Sequence, residues 1–470
     1  MEQNKLLEGS ILKSLIALAV PIIFSNILQT MYQLTDTFWV GRLGTVAVAA
    51  VSISFPIIFL IISLGGGLAM AGTILVSQYK GKDDKHAVDH VTAQTLLVTV
   101  IVSIVLATIG YLLSPFFINL MGAEPNVFAS AVPYMKISFI GMIFVFAFMV
   151  FQSLMRGVGD VKTPMYIVSG TVLLNLVLDP LFIFGYGFIP AFGVAGAAMA
   201  TIGTQGIAAL IGIILLLKGK VQINLNLSDL KPDWHLIRKM VKIGLPASIE
   251  QSARALGMTV ITFLVAGFGT LSLAAYGIGG RILSFIIIPA LGLSMATSTL
   301  VGQNIGAGNV ERAEKVSNLS SIIGFVVLTV VGIIVFIFAK QISTIFIPGE
   351  TATIASSALF IKIMALTFGF IGIQMAINGA FRGSGNTMIS MTISIVALWV
   401  LRFPIAYILS TFTSLGDVGI WAAFPIANVL TTVIAVIWFK TGSWKKKKVT
   451  EDIKLKRATT RETIIEEGSN

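Results

Sequence analysis

Apolar residues run through this chain in long stretches separated by short polar connections. A helix that crosses a bilayer needs about 20 mostly apolar residues. On that rule twelve spans are expected, at 13–40, 47–79, 90–113, 131–153, 164–186, 193–217, 245–268, 271–300, 315–339, 354–380, 386–411 and 419–440. The second and eighth are longer than one crossing requires. Pro56 with Gly65–Gly67, and Pro289 with Gly292, predict kinked or tilted helices there. The pattern describes an all-α polytopic membrane protein. Residues 1–217 form one expected lobe and 245–440 a second. Between them, 218–244 reads as a linker, with Trp234–Lys242 expected to lie along the membrane surface.

The two lobes repeat each other. Pro21 matches Pro246, Gly44–Thr45 matches Gly269–Thr270, Ala49–Ala50 matches Ala274–Ala275, Gln78 matches Gln303 and Gly81 matches Gly306, all 225 positions apart. SLMRGVGD at 153–160 answers GAFRGSGN at 379–386. With six spans in each repeat, both halves run the same way through the membrane. They should be related by an axis along the bilayer normal, an arrangement of transporters that rock around a central site.

Polar residues inside the apolar runs are the candidates for function. LLNLVLDPLFIF at 173–184 carries Asn175 and Asp179 four residues apart, on one helical face, with Pro180 following. A carboxylate at bilayer depth costs at least about 2.5 kcal/mol, so such an acid marks a site before it marks a scaffold. LQTMYQLTDTFWVGRLG at 28–44 places Gln29, Gln33 and Asp36 at helical spacing, with Asn26 one turn earlier. The repeat lacks counterparts: Asp36 aligns with Ile261, Asn175 with Trp399 and Asp179 with Phe403. Acids needed only as scaffold would recur in both lobes; an ion site in one lobe is the simpler account.

Composition and charge sharpen this. The 470 residues are 56% hydrophobic and 11% charged, against about 25% charged in soluble domains. Lipid must be part of the solvent. There is no Cys, which excludes disulfides, thiolate metal sites and a cysteine nucleophile. The net charge of +11 argues for membrane orientation and not for nucleic acid. Lys5, Lys13, Lys80, Lys82, Lys85, Arg156, Lys162, Lys218, Lys220, Arg312, Lys315, Arg382 and Lys445–Lys448 all fall on the side that holds both termini. The other side has Arg42, Lys136, Lys340 and Lys362. Both termini are therefore expected in the cytoplasm, in a multi-pass protein of the cell membrane. The start, MEQNKLLEGS, leads into an apolar segment too long for a signal-peptide core, so no cleaved leader is expected. Residues 441–470 read as a basic cytoplasmic tail.

LAVPIIFSNILQTMYQLTDTFWVGRLG, RGVGDVKTP, NLVLDP and GVAGAAMAT together resemble the multidrug and toxic compound extrusion (MATE) transporters, most of all the archaeal and DinF-like branch. The likeness runs from about residue 11 to about 440. It implies twelve helices in two pseudo-symmetric six-helix bundles, V-shaped around a central cavity. It also implies a cation-coupled site in the N-terminal lobe, with acids at Asp36 and Asp179 and an asparagine at Asn175. Gln152 stands where the family has a further amide, and Thr201 where it has a threonine on the sixth helix. Met31, Tyr32 and Gln33 are candidate cavity residues. Other branches place an acid on the seventh helix, where this chain has Glu250 with Arg254 one turn on.

The implied activity is antiport of Na⁺ or H⁺ against cationic or amphipathic drugs, by a monomer with membrane lipid as its other partner and no cofactor. Na⁺ would sit at Asp36, Asp179 and Asn175. A rival is a flippase for a lipid-linked oligosaccharide or another lipid intermediate, which needs a cationic cavity. The deep basic residues are Arg254, Arg281 and Arg402, all in the second half. Glu250 and Arg254 read more readily as an internal ion pair than as a substrate site. His86 and His90 beside Asp83, Asp84 and Asp89 have metal-like spacing, but read as a solvated loop. All three His lie outside the spans and no nucleophile–base set is present, so an enzyme is not expected.

Overall fold

The computed structural model describes residues 5–187, 189–446 and 449–450; most of the basic tail lies outside them. After a short turn α1 (Lys5–Glu8), the N-terminal lobe comprises α2 (Ile11–Gly41), α3 (Thr45–Gly81), α4 (Lys85–Leu120), α5 (Pro125–Val158), α6 (Lys162–Phe184) and α7 (Val194–Leu217). The C-terminal lobe repeats it with α8 (Trp234–Ala266), α9 (Thr270–Gly306), α10 (Val310–Ile337) with α11 (Ala339–Phe346), α12 (Thr351–Ala365) with α13 (Phe368–Gly383), α14 (Thr387–Ile395) with α15 (Phe403–Thr411), and α16 (Asp417–Lys440). Among the described residues there is no strand, only an isolated bridge between Tyr186 and Ile189.

Ten of these helical segments are long and apolar enough to cross a bilayer, and α12 with α13, bent by 51°, makes an eleventh. The twelfth expected span is α8, of membrane length at 33 residues but carrying Glu250, Gln251 and Arg254. The repeat extends to helix ends. Gly44 and Gly269 begin α3 and α9 at φ 104 and 97, a region L side chains rarely adopt. The second lobe is less regular: where α6 is continuous through Asn175 and Asp179, its counterpart has a π-helical turn at Val396–Arg402 between α14 and α15.

The expected surface helix at Trp234–Lys242 does not exist as a separate element. Those residues are the first turns of α8, and Leu236, Met240 and Ile243 are buried in an N-lobe core with Val91, Phe151 and Leu216. Apolar residues on one face of the segment found a protein core instead of lipid. The linker proper is also docked. Asp89 accepts from the Asn224 backbone at 2.8 Å, Gln94 donates to the Asp229 and Lys231 carbonyls at 2.6 Å each, and His90 sits between Asp229 (3.4 Å) and Asp233 (3.2 Å). His90 is thus not part of a solvated loop. Among the described residues no group of three or more His, Cys, Asp or Glu is placed to hold a metal ion.

Four apolar clusters show how the lobes meet. Two lie toward the lysine-rich end and mix both lobes: Leu236, Met240 and Ile243 enter the N-lobe core, while Leu15, Leu18, Ala19 and Ile22 enter the C-lobe core with Leu293, Leu300 and Phe381. The two at the far end each draw on one lobe only, Val40–Ala197 and Ile261–Phe424. The lobes are joined at one end and separate at the other, giving a cleft. The join is reciprocal. Gln78 donates to the Gly383 carbonyl and Gln303 to the Gly157 carbonyl, both at 3.0 Å. A Cβ on Gly81 would stand 1.9 Å from the Gln303 carbonyl oxygen, and one on Gly306 the same distance from that of Gln78.

Backbone cannot rotate away as a side chain can, so Gly81→Ala and Gly306→Ala should each lower stability by about 1–3 kcal/mol. Thermal unfolding in detergent checks this; an unchanged Tm would remove the seam from the account. At α8's start, Asp233 caps the His235 and Leu236 N–H groups. Its partial burial raises its pKa, but the Leu236 amide and His90 outweigh this and hold it below the usual carboxylate range. A depressed pKa contributes stability above the unfolded value of about 4 and loses it as pH falls through the folded value. Asp233→Ala should cost about 1 kcal/mol at neutral pH, and the gap from wild type should narrow below about pH 4. Unfolding at a series of pH values measures that gap.

Candidate functional site

Three helices of the N-terminal lobe bring the predicted residues together. Asp36 lies five residues from the end of α2 and Asp179 five residues from the end of α6, so both reach the same level in the half of the lobe that borders the open end of the cleft. Helical spacing carries Asn175 onto the face of Asp179: its Nδ2 donates to Asp179 Oδ1 at 2.8 Å, with both residues fully buried. Thr201 on α7 donates from Oγ1 to Asp36 Oδ2 at 3.2 Å. The two carboxyls lie within electrostatic reach of one another, with Asn175 beside both. Pro180 removes the next N–H from the α6 ladder, leaving the Leu176 carbonyl without its usual donor.

The arrangement is incomplete in a specific way. Asp36 Oδ1, Asn175 Oδ1 and Asp179 Oδ2 are all buried without a hydrogen-bond partner. Buried oxygens left unpaired are costly and uncommon. Three on mutually contacting residues make a set of hard oxygen acceptors suited to a proton or a small cation.

Other expected residues fall elsewhere. Tyr32 is 7% exposed; its hydroxyl pairs with Thr204 Oγ1 at 2.5 Å and donates to the Thr201 carbonyl at 3.4 Å, tying α2 to α7. Met31 and Gln33 are exposed on the same helix. Gln152 meets Gln29 at 3.5 Å and not the acids. Thr204 and Tyr134, which lies within electrostatic reach of both acids, went unrecognised. Thr204 had a signal in its spacing of three from Thr201; Tyr134 had none.

In the C-terminal lobe the equivalent positions are apolar: Ile261 is core and Phe403 packs against it. The polar centre there is Glu250, 1% exposed. Its carboxylate accepts from Arg382 (2.5 Å), Arg254 (2.7 Å), Ser394 (2.8 Å) and Ser390 (3.0 Å). The expected Glu250–Arg254 pair is present, but the carboxylate is saturated from all sides. Arg382, expected among the charges that set topology, is buried in this network instead.

Two parallel six-helix repeats meeting at one end around a cleft are the architecture of parallel-repeat membrane transporters. The sequence model of the MatE family matches residues 21–181 and 246–408, once per lobe, and the chain belongs to this family of transporters; it is not an enzyme. It is similar to the probable multidrug resistance protein YoeA of Bacillus subtilis (strain 168), 32% identical over 94% of this chain and 96% of that protein. It is also similar to YpnP of the same organism, likewise a probable multidrug resistance protein, 31% identical over 94% and 98%. Among solved structures it is similar to a crystal structure of MATE in complex with MaL6, with TM-score 0.89, 26% identity, and coverage of 95% of this chain and 100% of that one.

Asn175→Ala would leave Asp179 Oδ1 buried without a donor and should destabilise by about 1–3 kcal/mol. Thr201→Val, at a half-buried position, should cost less. Chemical unfolding of the two variants side by side tests this order.

Proposed function

We propose that the protein is a cation-coupled antiporter that exports cationic or amphipathic drugs and other xenobiotics across the cell membrane. One observation carries the reading: three contacting side chains of one lobe present unpaired buried oxygens beside the cleft. H⁺ or Na⁺ is the coupling ion, since either can satisfy those oxygens. The positive-inside pattern supports cytoplasmic termini, and so a cleft that opens outward in this conformation. An ion entering from outside discharges Asp36 and Asp179, shifts α2 against α6 near Pro180, and favours the lobe orientation with lower substrate affinity. Coupling requires only that the two orientations differ in affinity for ion and substrate.

The relatives named for multidrug resistance support drug export over the flippase alternative. So does the confinement of the acids to one wall of the cleft, which suits a cationic substrate. In proteoliposomes, efflux of an ethidium-like dye should respond to an imposed Na⁺ gradient, a pH gradient or both. Asp179→Asn should abolish that response at normal expression. Dye movement indifferent to both gradients would remove the antiport reading, and full activity of Asp179→Asn would remove the acid from it.

A further inference from the structure

The chain beyond α16 crosses from one lobe to the other at the lysine-rich end. It makes a short 3₁₀ turn at Ser443–Lys446, where Trp444 is fully buried in the C-lobe core with Phe381. The Trp444 ring stacks on Phe439, 5.0 Å between centres, and its Nε1 donates to the Phe439 carbonyl at 3.1 Å. Lys445 Nζ pairs with Glu314 Oε2 on α10 at 2.8 Å. Val449 then lies 6% exposed in the N-lobe core with Tyr79, Val88 and Val91. One short segment is thus anchored in both cores.

Val449 lands on the seam itself. Its N–H donates to Gln78 Oε1 at 3.2 Å, while Nε2 of the same amide holds the Gly383 carbonyl at 3.0 Å. Without Val449 that oxygen would be a buried acceptor with nothing to accept, a state proteins avoid. A Cβ on Gly385 would overlap Val449 Cγ2, so glycine leaves the room that Val449 fills. Gly159, the counterpart of Gly385 in the repeat, faces Leu6 of α1 in the same way. Unlike Gln78 and Gly81, Val449 lies outside any helix and can withdraw without unwinding one.

We infer that the segment pinned at Trp444 and Val449 is a strap across the lysine-rich end, and that Val449 must leave the N-lobe core before that end can open. A contact made in one conformation only shifts the balance toward that conformation. The strap therefore favours the orientation closed at the lysine-rich end, and its release favours the opposite one. Lys445 and Glu314 hold its start against α10, so weakening that pair loosens the strap from the outside. The inference rests on reading the chain as a transporter whose lobes open to either side. It depends on neither the coupling ion nor the substrate.

The chain has no Cys, so a single introduced one reports without background. Thr299 on α9 is 1% exposed, its hydroxyl has no partner, and it lies one turn from Gln303 on the seam face. Thr299→Cys is read with a membrane-impermeant maleimide. On the orientation proposed above, inside-out vesicles present the lysine-rich side and right-side-out vesicles the other. From the lysine-rich side, Val449→Asp, which puts a charge in the core, and Val449→Pro, which removes the N–H, should each raise the labelling rate about tenfold. Glu314→Lys, at a partly exposed position away from both cores, repels Lys445 and should raise it about threefold. None of the three should raise labelling from the other side. Unchanged rates in all three overturn the strap, and so does a rise on both sides, which marks loosening of the whole fold. If the Val449 variants do not fold, the Glu314→Lys rate decides alone. Dye efflux by wild type separates the readings: no efflux with the expected labelling removes export and leaves the strap, and efflux with unchanged labelling removes only the strap.

Discussion

The seam at the lysine-rich end is the constraint on which the rest of the molecule depends. Gln78 and Gln303 each reach across it to a backbone carbonyl of the other lobe, and Gly81 and Gly306 let the two backbones touch. Each bond contributes only about 1 kcal/mol net. Left unmade, each would strand a buried amide, so the four residues act as one unit. Because both lobes use the same residues, neither can slide without breaking its own bond and its partner's. The far end, where each apolar cluster draws on one lobe only, has no such tie.

Symmetry explains the frame, and departures from symmetry explain the chemistry. The N-terminal lobe holds two acids with unsatisfied oxygens where the C-terminal lobe has Ile261 and Phe403. The C-terminal lobe holds a saturated glutamate where the N-terminal lobe has Ser25, which bonds only its own helix at the Pro21 carbonyl. One lobe leaves its acid oxygens without donors and the other saturates its carboxylate. A scaffold would have let each lobe satisfy itself.

Much of this was legible in the sequence because the signals are periodic or costly. Span positions follow from runs of apolar residues, the repeat from matched Gly and Gln positions, and the acids from their price in an apolar run. Asn175 and Asp179 were legible as a pair because helical spacing alone sets their contact. What stayed hidden depended on distant neighbours. Arg382 looks like a topology-setting charge until Glu250, 132 positions earlier, is brought against it. Trp234–Lys242 looks amphipathic for lipid until the N-lobe core meets it. The bond of Tyr32 to Thr204, 172 positions away, has no trace in the spacing of either.

The exchange of first turns links the seam to both polar centres. α2 begins in the C-terminal core through Leu15, Leu18 and Ile22, crosses the molecule, and ends beside the acids at Asp36. α8 does the reverse, beginning in the N-terminal core through Leu236 and Met240 and passing on to Glu250 and Arg254. Each lobe's charge centre therefore sits on the helix whose start belongs to the other lobe. A change of charge at Asp36 alters how α2 packs on α6 and α7, and α2 cannot adjust there without pulling on a core across the seam. Protein interiors are close-packed and transmit such strain between discrete arrangements. On the proposed antiport reading, the acid pair would need no contact with the opposite lobe to bias its angle, because the helix that carries one of the acids is already anchored there.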